Sequence, residues 1–168
     1  MNLQTLDDVL VDQLGDLLDA EKQLVQALPK MASAASDEKL QKAFKEHLSE
    51  TQDHVSRLED IFGQLGKQPP RETCKAMQGL VAEGEEIIAA QGDPAAKDAA
   101  LIAAAQRVEH YEIAGYGTAK TLADQLGHGD AKDLLDQTLD EESQADTLLT
   151  KIATGGRMKS GLNEAAKR

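Results

Sequence analysis

The chain has 168 residues and a formal net charge of −12, and helix-favouring residues such as Ala, Leu, Glu and Lys dominate it. This length suits a single domain with one core, and the acidity disfavours a broad nucleic-acid-binding face. Because no apolar run could cross a bilayer and the acidic N-terminus is unlike a secretory signal, we expect a cytoplasmic protein without membrane or nucleic-acid partners.

The first predicted element is a long amphipathic helix. Leucines recur at steps of three and four on one face, at Leu3, Leu6, Leu10, Leu14, Leu17, Leu24 and Leu28. Pro29 should bend or end this helix, and Ser36 is predicted to cap a second one. The second helix should run to about Leu65, where Gly66 stops it.

A shorter amphipathic helix is predicted between about residues 72 and 91. The pair Asp93-Pro94 marks the start of a third long helix, because aspartate caps a helix and a proline at the first position needs no partner for its nitrogen. This helix should end near Gln125, with Gly127 as its C-cap.

A fourth long helix is predicted to begin at an Asp130 cap and to close at Gly155-Gly156. Residues 1–155 are therefore predicted to form one domain, followed by a flexible tail over residues 156–168. The basic residues of this tail are Arg157, Lys159, Lys167 and Arg168.

The connections between the helices predict the topology. Short turns join the first two long helices and the last two, whereas roughly 28 residues separate the second from the third. Two antiparallel hairpins joined by one long crossover are typical of ferritin-like proteins. The sequence thus predicts an all-α, ferritin-like four-helix bundle with a short extra helix in its crossover.

Acidic residues interrupt or border the apolar stripe of every long helix. They are Glu21, Glu50, Glu109, Glu112, Glu142 and Asp146. A buried, unpaired carboxylate costs several kcal/mol, so such groups must be paired, protonated or bound to metal. Four helices that each place an acid near mid-length would bring oxygen donors together, and oxygen donors with a few imidazoles suit two iron or manganese ions.

The spacing of these acids supports a shared centre. Glu21 precedes Glu50 by 29 residues, and Glu109 precedes Glu142 by 33. Each hairpin can therefore place two acids at one level of the bundle. A single acid of this kind more often keeps its carboxylate in water, but four at matched heights favour a metal site.

His47 and His54 lie three and four residues from Glu50, so either could share a metal with it. His47 is nearer the centre of the apolar face and is preferred to His54. Tyr116 is predicted to be a core residue. Cys74, the single cysteine, cannot form an intramolecular disulfide and is predicted to be an inert buried thiol in a reducing compartment.

Four stretches are distinctive as sequences: DAALIAAAQRVEHYEIAGYGT (98–118), HLSET (47–51), CKAMQGL (74–80) and LDQTLDEESQAD (135–146). With them the chain resembles, over nearly its whole length, the ferritin-like bacterial stress-protein family typified by YciF and YciE. The resemblance implies kinship with rubrerythrin, and with it a four-helix bundle, a dinuclear iron site and homodimer formation.

Rubrerythrin-like sites use Glu on the first helix, Glu-x-x-His on the second, Glu-x-x-Glu on the third and Glu-x-x-His on the fourth. The matching acids of this chain are Glu21, Glu50, Glu109, Glu112 and Glu142. The histidine positions do not match, because Asp53 and Ala145 stand there. The resemblance then implies that His47 and Asp146 substitute from neighbouring turns.

These inferences predict a stress-linked protein with two metal ions, iron in the first place and manganese or zinc as alternatives. It would oxidise Fe(II) or reduce peroxide, with peroxide or dioxygen as its partner. Glu50 and Glu142 would hold both metals, Glu21 and Glu109 would be terminal ligands, and Glu112 a mobile carboxylate. The alternatives are a manganese catalase-like activity and a non-enzymatic dimeric bundle whose metal is structural or absent.

Overall fold

The computed structural model describes residues 3–156 and 159–167. Its helices are α1 Leu6–Ala34, α2 Glu38–Leu65, α3 Lys75–Ala89, α4 Pro94–Gln125, α5 Gly129–Thr154 and α6 Leu162–Ala165. Two-residue strands, β1 Gly155–Gly156 and β2 Lys159–Ser160, pair antiparallel between α5 and α6. The described residues are otherwise helices and their connections, so the predicted all-α class is confirmed.

The first helix is longer than its sequence predicts, because Pro29 lies inside α1 and the helix continues to Ala34. A proline in a helix interior costs about 3 kcal/mol. Beyond Pro29, Met31 and Ala32 are buried against the core, and their burial offsets part of that cost. Ser33 also donates its hydroxyl to the carbonyl of Pro29, at 2.9 Å.

The turn between α1 and α2 is held by a residue of α4. The cap of α2 is Asp37 and not the predicted Ser36, since the Asp37 carboxylate accepts the backbone N–H groups of Lys39 and Leu40. The backbone N–H groups of Ser36 and Asp37 in turn donate to the buried carboxylate of Asp98, at 2.8 and 2.7 Å. The turn is thereby fixed against α4.

The first and last residues of α4 agree with the sequence, but its C-cap is Leu126 and not the predicted Gly127, which follows it. Asp93 caps the helix and Pro94 is its first residue. After Gln125 the chain turns through Gly127, whose φ of 77° lies in the left-handed region that favours glycine. The predicted Asp130 cap is wrong, because α5 begins at Gly129 and Asp130 lies in its first turn. A carboxylate there is still favourable, since it faces the positive end of the helix dipole.

Ion pairs show how the long helices are oriented. Lys67, just after α2, pairs with Asp7 at the start of α1, at 2.7 Å, so α1 and α2 run in opposite directions. Lys120 of α4 pairs with Asp136 of α5 near the turn that joins them. α1 also packs on α4, and α2 on α5, while α3 lies against α1 and α4.

Two apolar clusters form the core. The first cluster includes Leu24, Leu28, Leu40, Phe44, Leu101 and Leu149. The second cluster includes Leu10, Leu14, Leu58, Phe62, Tyr116 and Leu135. Each of the four long helices contributes to both clusters, so each passes from one to the other near the middle of its length.

The predicted flexible tail is partly packed where the structure describes it. α6 contacts α4 and α5, and Leu162 packs against the first cluster. Arg157 and Arg168 lie outside the described residues. The domain boundary at residue 155 and the flexibility of the tail remain predictions.

In the described part of the chain, no helix has both the length and the apolar character that crossing a membrane requires.

The close approach of α1 to the loop after α2 can be tested at Gly15. A Cβ atom added at this position would lie 2.7 Å from Pro70 Cδ, whereas one added at Gly79 in α3 would meet no atom within 4 Å. We expect Gly79→Ala to raise the free energy of unfolding by about 1 kcal/mol through helix propensity. We expect Gly15→Ala to lower it by roughly 1 kcal/mol, because overpacking costs more than the propensity gains. Urea unfolding measures both, and equal stabilisation by the two variants would contradict the packing described.

Candidate metal centre

A layer of buried polar side chains lies where the four long helices pass from one apolar cluster to the other. We call it the polar layer; its members are Glu21, His47, Thr51, His54, Glu109, Glu112, Thr138 and Glu142. On α2, α4 and α5 these residues follow one cluster and precede the other along the chain, and Glu21 stands at the border on α1. The interior of the protein is therefore apolar at both ends and ionisable in the middle.

The first group within the polar layer is formed by His47, Glu109, Glu112 and Glu142. Each offers one ligand atom, and these atoms lie within 4.8 Å of one another. His47 Nε2 is 3.4 Å from a Glu109 oxygen and 3.6 Å from Glu142 Oε2. Four donors converge here from three helices, α2, α4 and α5.

The second group consists of Glu21, His54 and Glu142, and it meets the same distance limit. His54 Nδ1 lies 3.2 Å from Glu21 Oε1 and 2.9 Å from Glu142 Oε1. Glu142 thus belongs to both groups, with Oε2 toward His47 and Oε1 toward His54. A carboxylate shared in this way has the arrangement of a bridge between two cations.

Glu21 Oε1 accepts a hydrogen bond from Tyr116, but most other metal-binding atoms of the two groups lack hydrogen-bond partners. Among the described residues, the buried side-chain atoms in this condition are Glu21 Oε2, His47 Nε2, Thr51 Oγ1, His54 Nδ1, Glu109 Oε2, and both oxygens of Glu112 and of Glu142. All but Thr51 Oγ1 belong to the two groups. Since unpaired buried charges are costly, a set of carboxylates and imidazoles in this condition fits bound divalent cations.

Side chains around the groups orient the donors. His54 Nε2 lies 2.9 Å from Glu141 Oε2, and Glu141 is held in turn by the guanidinium of Arg57, with Nη2 at 3.0 Å from Oε1. Burial alone would raise the pKa of Glu141, but its hydrogen bond with Arg57 helps to lower that pKa to about 2. An ionised Glu141 favours a proton on Nε2, which leaves Nδ1 of a neutral imidazole free to bind a cation.

Glu50 has a similar position beside His47. Its carboxylate lies 3.3 Å from His47 Nδ1, and its side chain is 47% exposed. The sequence predicts Glu50 as a metal ligand, but the structure places it outside both groups. The reason is that Glu50 borders the apolar stripe of α2 and does not lie within it, so its carboxylate reaches solvent.

Asp146 is also outside the two groups. It accepts a hydrogen bond from Gln106 at 2.9 Å and lies 3.3 Å from the exposed imidazole of His110. It stands one turn beyond Glu142 on α5 and is partly exposed, so polar surface partners already satisfy it.

Of the residues that the sequence predicts as ligands, the structure brings together Glu21, His47, Glu109, Glu112 and Glu142. It adds His54, which the sequence ranks below His47 and which is 0% exposed. The seven-residue spacing of the two histidines could have indicated this, because two turns of a helix return a side chain to the same face.

The two tyrosines lie on different sides of the polar layer. Tyr116 is fully buried, as predicted, and its hydroxyl donates to Glu21 Oε1. Tyr111 donates to Asp16, and its hydroxyl lies 3.1 Å from Cys74 Sγ. Burial raises the pKa of the Cys74 thiol, in agreement with the inert buried cysteine that the sequence predicts.

Without metal, the polar layer has unusual proton affinities. Burial and neighbouring carboxylates raise the pKa of Glu109 and Glu112 well above the usual value, and burial raises the pKa of Glu21. Burial alone would lower the pKa of His54, but the carboxylates of Glu142 and Glu21 raise it to about 10. The metal-free protein therefore holds protons that the unfolded chain would release.

This proton uptake gives the metal-free protein a defined pH dependence. Between pH 6.5 and about 10 folded His54 stays protonated while the unfolded residue does not, so the stability it contributes is lost as pH rises through that range. The raised pKa values of Glu109 and Glu112 act in the same direction, because stability falls as pH rises above their unfolded value of 4.5. We expect the melting temperature of chelator-treated protein to fall between pH 7 and pH 9.5. His54→Gln should flatten this dependence, whereas the exposed-site control His110→Gln should not. A melting temperature that rises with pH would contradict the proton uptake by folded His54.

Comparison with known proteins identifies the family of this chain. The family model described as "Domain of unknown function (DUF892)" matches residues 5–165. Protein YciF of Escherichia coli (strain K12) is 46% identical over 166 residues, which cover 98% of this chain and all of YciF. The resemblance to the family of YciF that was inferred from the sequence is therefore confirmed.

Solved structures have the same fold as this chain. The crystal structure of the E. coli stress protein YciF matches with a TM-score of 0.89 at 44% identity, covering 99% of this chain and 100% of that one. YcfI from Rhodopseudomonas palustris, provisionally named a structural protein, matches with 0.87 at 41%, over 90% and 97% of the two chains. A Xanthomonas campestris pv. campestris protein shares the fold, with a TM-score of 0.70 at 20% identity over 88% and 89%. A family match over almost the whole chain and 46% identity to a full-length relative show that this protein belongs to the DUF892 family.

Proposed function

We propose that this protein is a ferritin-like four-helix bundle that holds a dinuclear carboxylate metal centre, and that this centre oxidises Fe(II) or reduces peroxide. The observation that carries the proposal is the position of Glu142, which directs one oxygen to each of two groups of buried, unpartnered donors. The arrangement of two hairpins with a crossover through α3 supports the ferritin-like fold.

The chain's own residues divide the centre into two cation positions. His47, Glu109 and Glu112 would hold one cation together with Glu142 Oε2, and Glu21 and His54 would hold the other together with Glu142 Oε1. Both oxygens of Glu112 are unpartnered, so this side chain can change its mode of binding at little cost. Carboxylates with two imidazoles suit iron first, with manganese and zinc as alternatives.

Two adjacent iron ions supply two electrons together, which is the chemistry that peroxide and dioxygen require. The protein's part is to bind and orient. Tyr116 holds one oxygen of Glu21, and Glu141 with Arg57 holds the imidazole of His54. The apolar clusters on either side help to bury Glu21, His54, Glu112 and Glu142, and the low dielectric constant around them strengthens the charge interactions between these side chains.

The relatives support a role in stress. YciF is described as a stress protein, and it is 46% identical to this chain over its full length. By extension we propose a stress-linked protein that works in the cytoplasm as a homodimer, with peroxide or dioxygen as the oxidant.

Metal content tests the proposal directly. Glu142→Gln keeps the size of the side chain but removes the shared charge, so we expect metal content to fall from two ions per chain to fewer than one. Asp140→Asn is the matched control, since it removes one charge from an exposed position on the same helix. Elemental analysis after anaerobic loading with Fe(II) measures both, and Fe(II)-dependent peroxide consumption should fall with the metal. Wild-type protein that retains no metal would rule out the centre.

The residue that orients His54 gives an independent test. Glu141 contacts His54 without belonging to either group, so Glu141→Gln removes the charge that orients the imidazole. Changes of this kind lower metal affinity by about 10- to 100-fold. Competition with a chromophoric chelator measures the affinity, and a value equal to that of Asp140→Asn would show that Glu141 does not position His54.

A second candidate is a non-enzymatic bundle whose metal is structural or absent, and the provisional naming of YcfI as a structural protein favours it. The two candidates differ in what buried carboxylates do to the fold. In a bundle without metal, Glu142→Gln only removes the carboxylate partner of His54, so its effect on the free energy of unfolding is the same with and without a chelator. In the proposed centre the same change weakens metal binding and lowers the stability of the loaded protein.

A further inference from the structure

A cavity opens between α2 and α5 on one side of the polar layer. Its volume is about 610 Å³, and its wall includes His47 of α2, Glu109 of α4 and Glu141 of α5. His47 and Glu109 belong to the first group of donors. The cavity therefore reaches from the protein surface to the proposed metal centre.

Two metal-binding atoms in the cavity wall, one from His47 and one from Glu109, have no hydrogen-bond partner. His47 is 6% exposed and Glu109 is 2% exposed, and His47 Nε2 and Glu109 Oε2 have no hydrogen-bond partner. Glu21, Glu112 and Glu142, by contrast, are 0% exposed. A ligand that comes through this cavity would meet His47 and Glu109 before the rest of the centre.

Charge at the mouth of the cavity selects what can enter. Glu46, Glu50, Glu109 and Glu141 line the cavity, and Lys151 is the one lysine or arginine in the described lining. Arg57 already pairs with Glu141 and Glu109 is buried, so the carboxylates that attract cations are those of Glu46 and Glu50, which are exposed. Part of the wall is apolar, including Leu148, which is 41% exposed. Acidic groups beside a wall of low dielectric constant concentrate cations and repel anions.

We propose that this cavity is the entrance through which divalent cations reach the centre, with Glu46 and Glu50 as its outer binding residues. The inference rests on the metal centre proposed above. Glu50 lies 3.3 Å from His47 Nδ1, so only the imidazole ring of His47 separates a cation held at Glu50 from His47 Nε2 and Glu109. The position of Glu50 outside the donor groups then follows from its role, since a residue that captures cations must be exposed.

The entrance is tested by the rate of metal binding, measured with Co(II), which needs no oxidant. Glu46→Gln/Glu50→Gln removes two charges from the mouth of the cavity. Glu83→Gln/Glu86→Gln removes two from exposed positions on α3 and is the matched control. We expect the first double variant to bind Co(II) about tenfold more slowly in stopped-flow absorption, with two ions bound at saturation. The control should bind at the wild-type rate, and added salt should narrow the difference.

A blocking variant tests the route without changing charge. Ala145 lines the cavity, so the bulky side chain of Ala145→Trp should obstruct it and slow Co(II) binding by at least tenfold. Ala82→Trp, at an exposed position of α3, should leave the rate unchanged. Wild-type rates in both cavity variants would overturn the entrance. Loss of one Co(II) at saturation from the Glu46 and Glu50 variant would also overturn it, because Glu50 would then belong to the centre itself, as a ligand or as the residue that orients His47. If wild-type protein binds no Co(II), it is the metal centre itself that fails.

Discussion

The structure depends on one electrostatic constraint: several glutamates and two histidines are enclosed between two apolar clusters. Tyr116 of the second cluster donates to Glu21, but most of the metal-binding atoms of the two groups lack hydrogen-bond partners. Such a layer must either hold protons that the unfolded chain would release or hold cations. The raised pKa values of Glu109 and Glu112 correspond to the holding of protons. The position of Glu142, which belongs to both groups, suits the holding of cations.

Most of the fold could be predicted from the sequence because its signals are local. Leucine periodicity and the Asp93-Pro94 pair indicate helices without reference to the rest of the chain, and α4 begins and ends where the sequence predicts. The errors occur where distant residues intervene. Ser36 does not cap α2, since its backbone N–H is bound by Asp98 from 62 residues away. The helix continues past Pro29 because its last turns are buried.

The site could be predicted in part for the same reason. Periodicity identifies acids on an apolar face, and the structure brings Glu21, Glu109 and Glu142 close together. Periodicity cannot decide at the edge of a stripe, where a few degrees of helix rotation separate a buried side chain from an exposed one. Glu50 lies near such an edge and is half-exposed, whereas His54 lies two turns from His47 on the same face of α2 and is buried.

Asp98 shows what a buried carboxylate does when the backbone satisfies it. It joins the turn of one hairpin to the second hairpin, through the N–H groups of Ser36 and Asp37. This contact fixes how far the two hairpins can slide along each other. A slip of one helical turn would move facing residues by about 5.4 Å, enough to part Glu21 from Glu142. A contact at one end of the molecule thus helps to keep the donors aligned, although it lies well away from them.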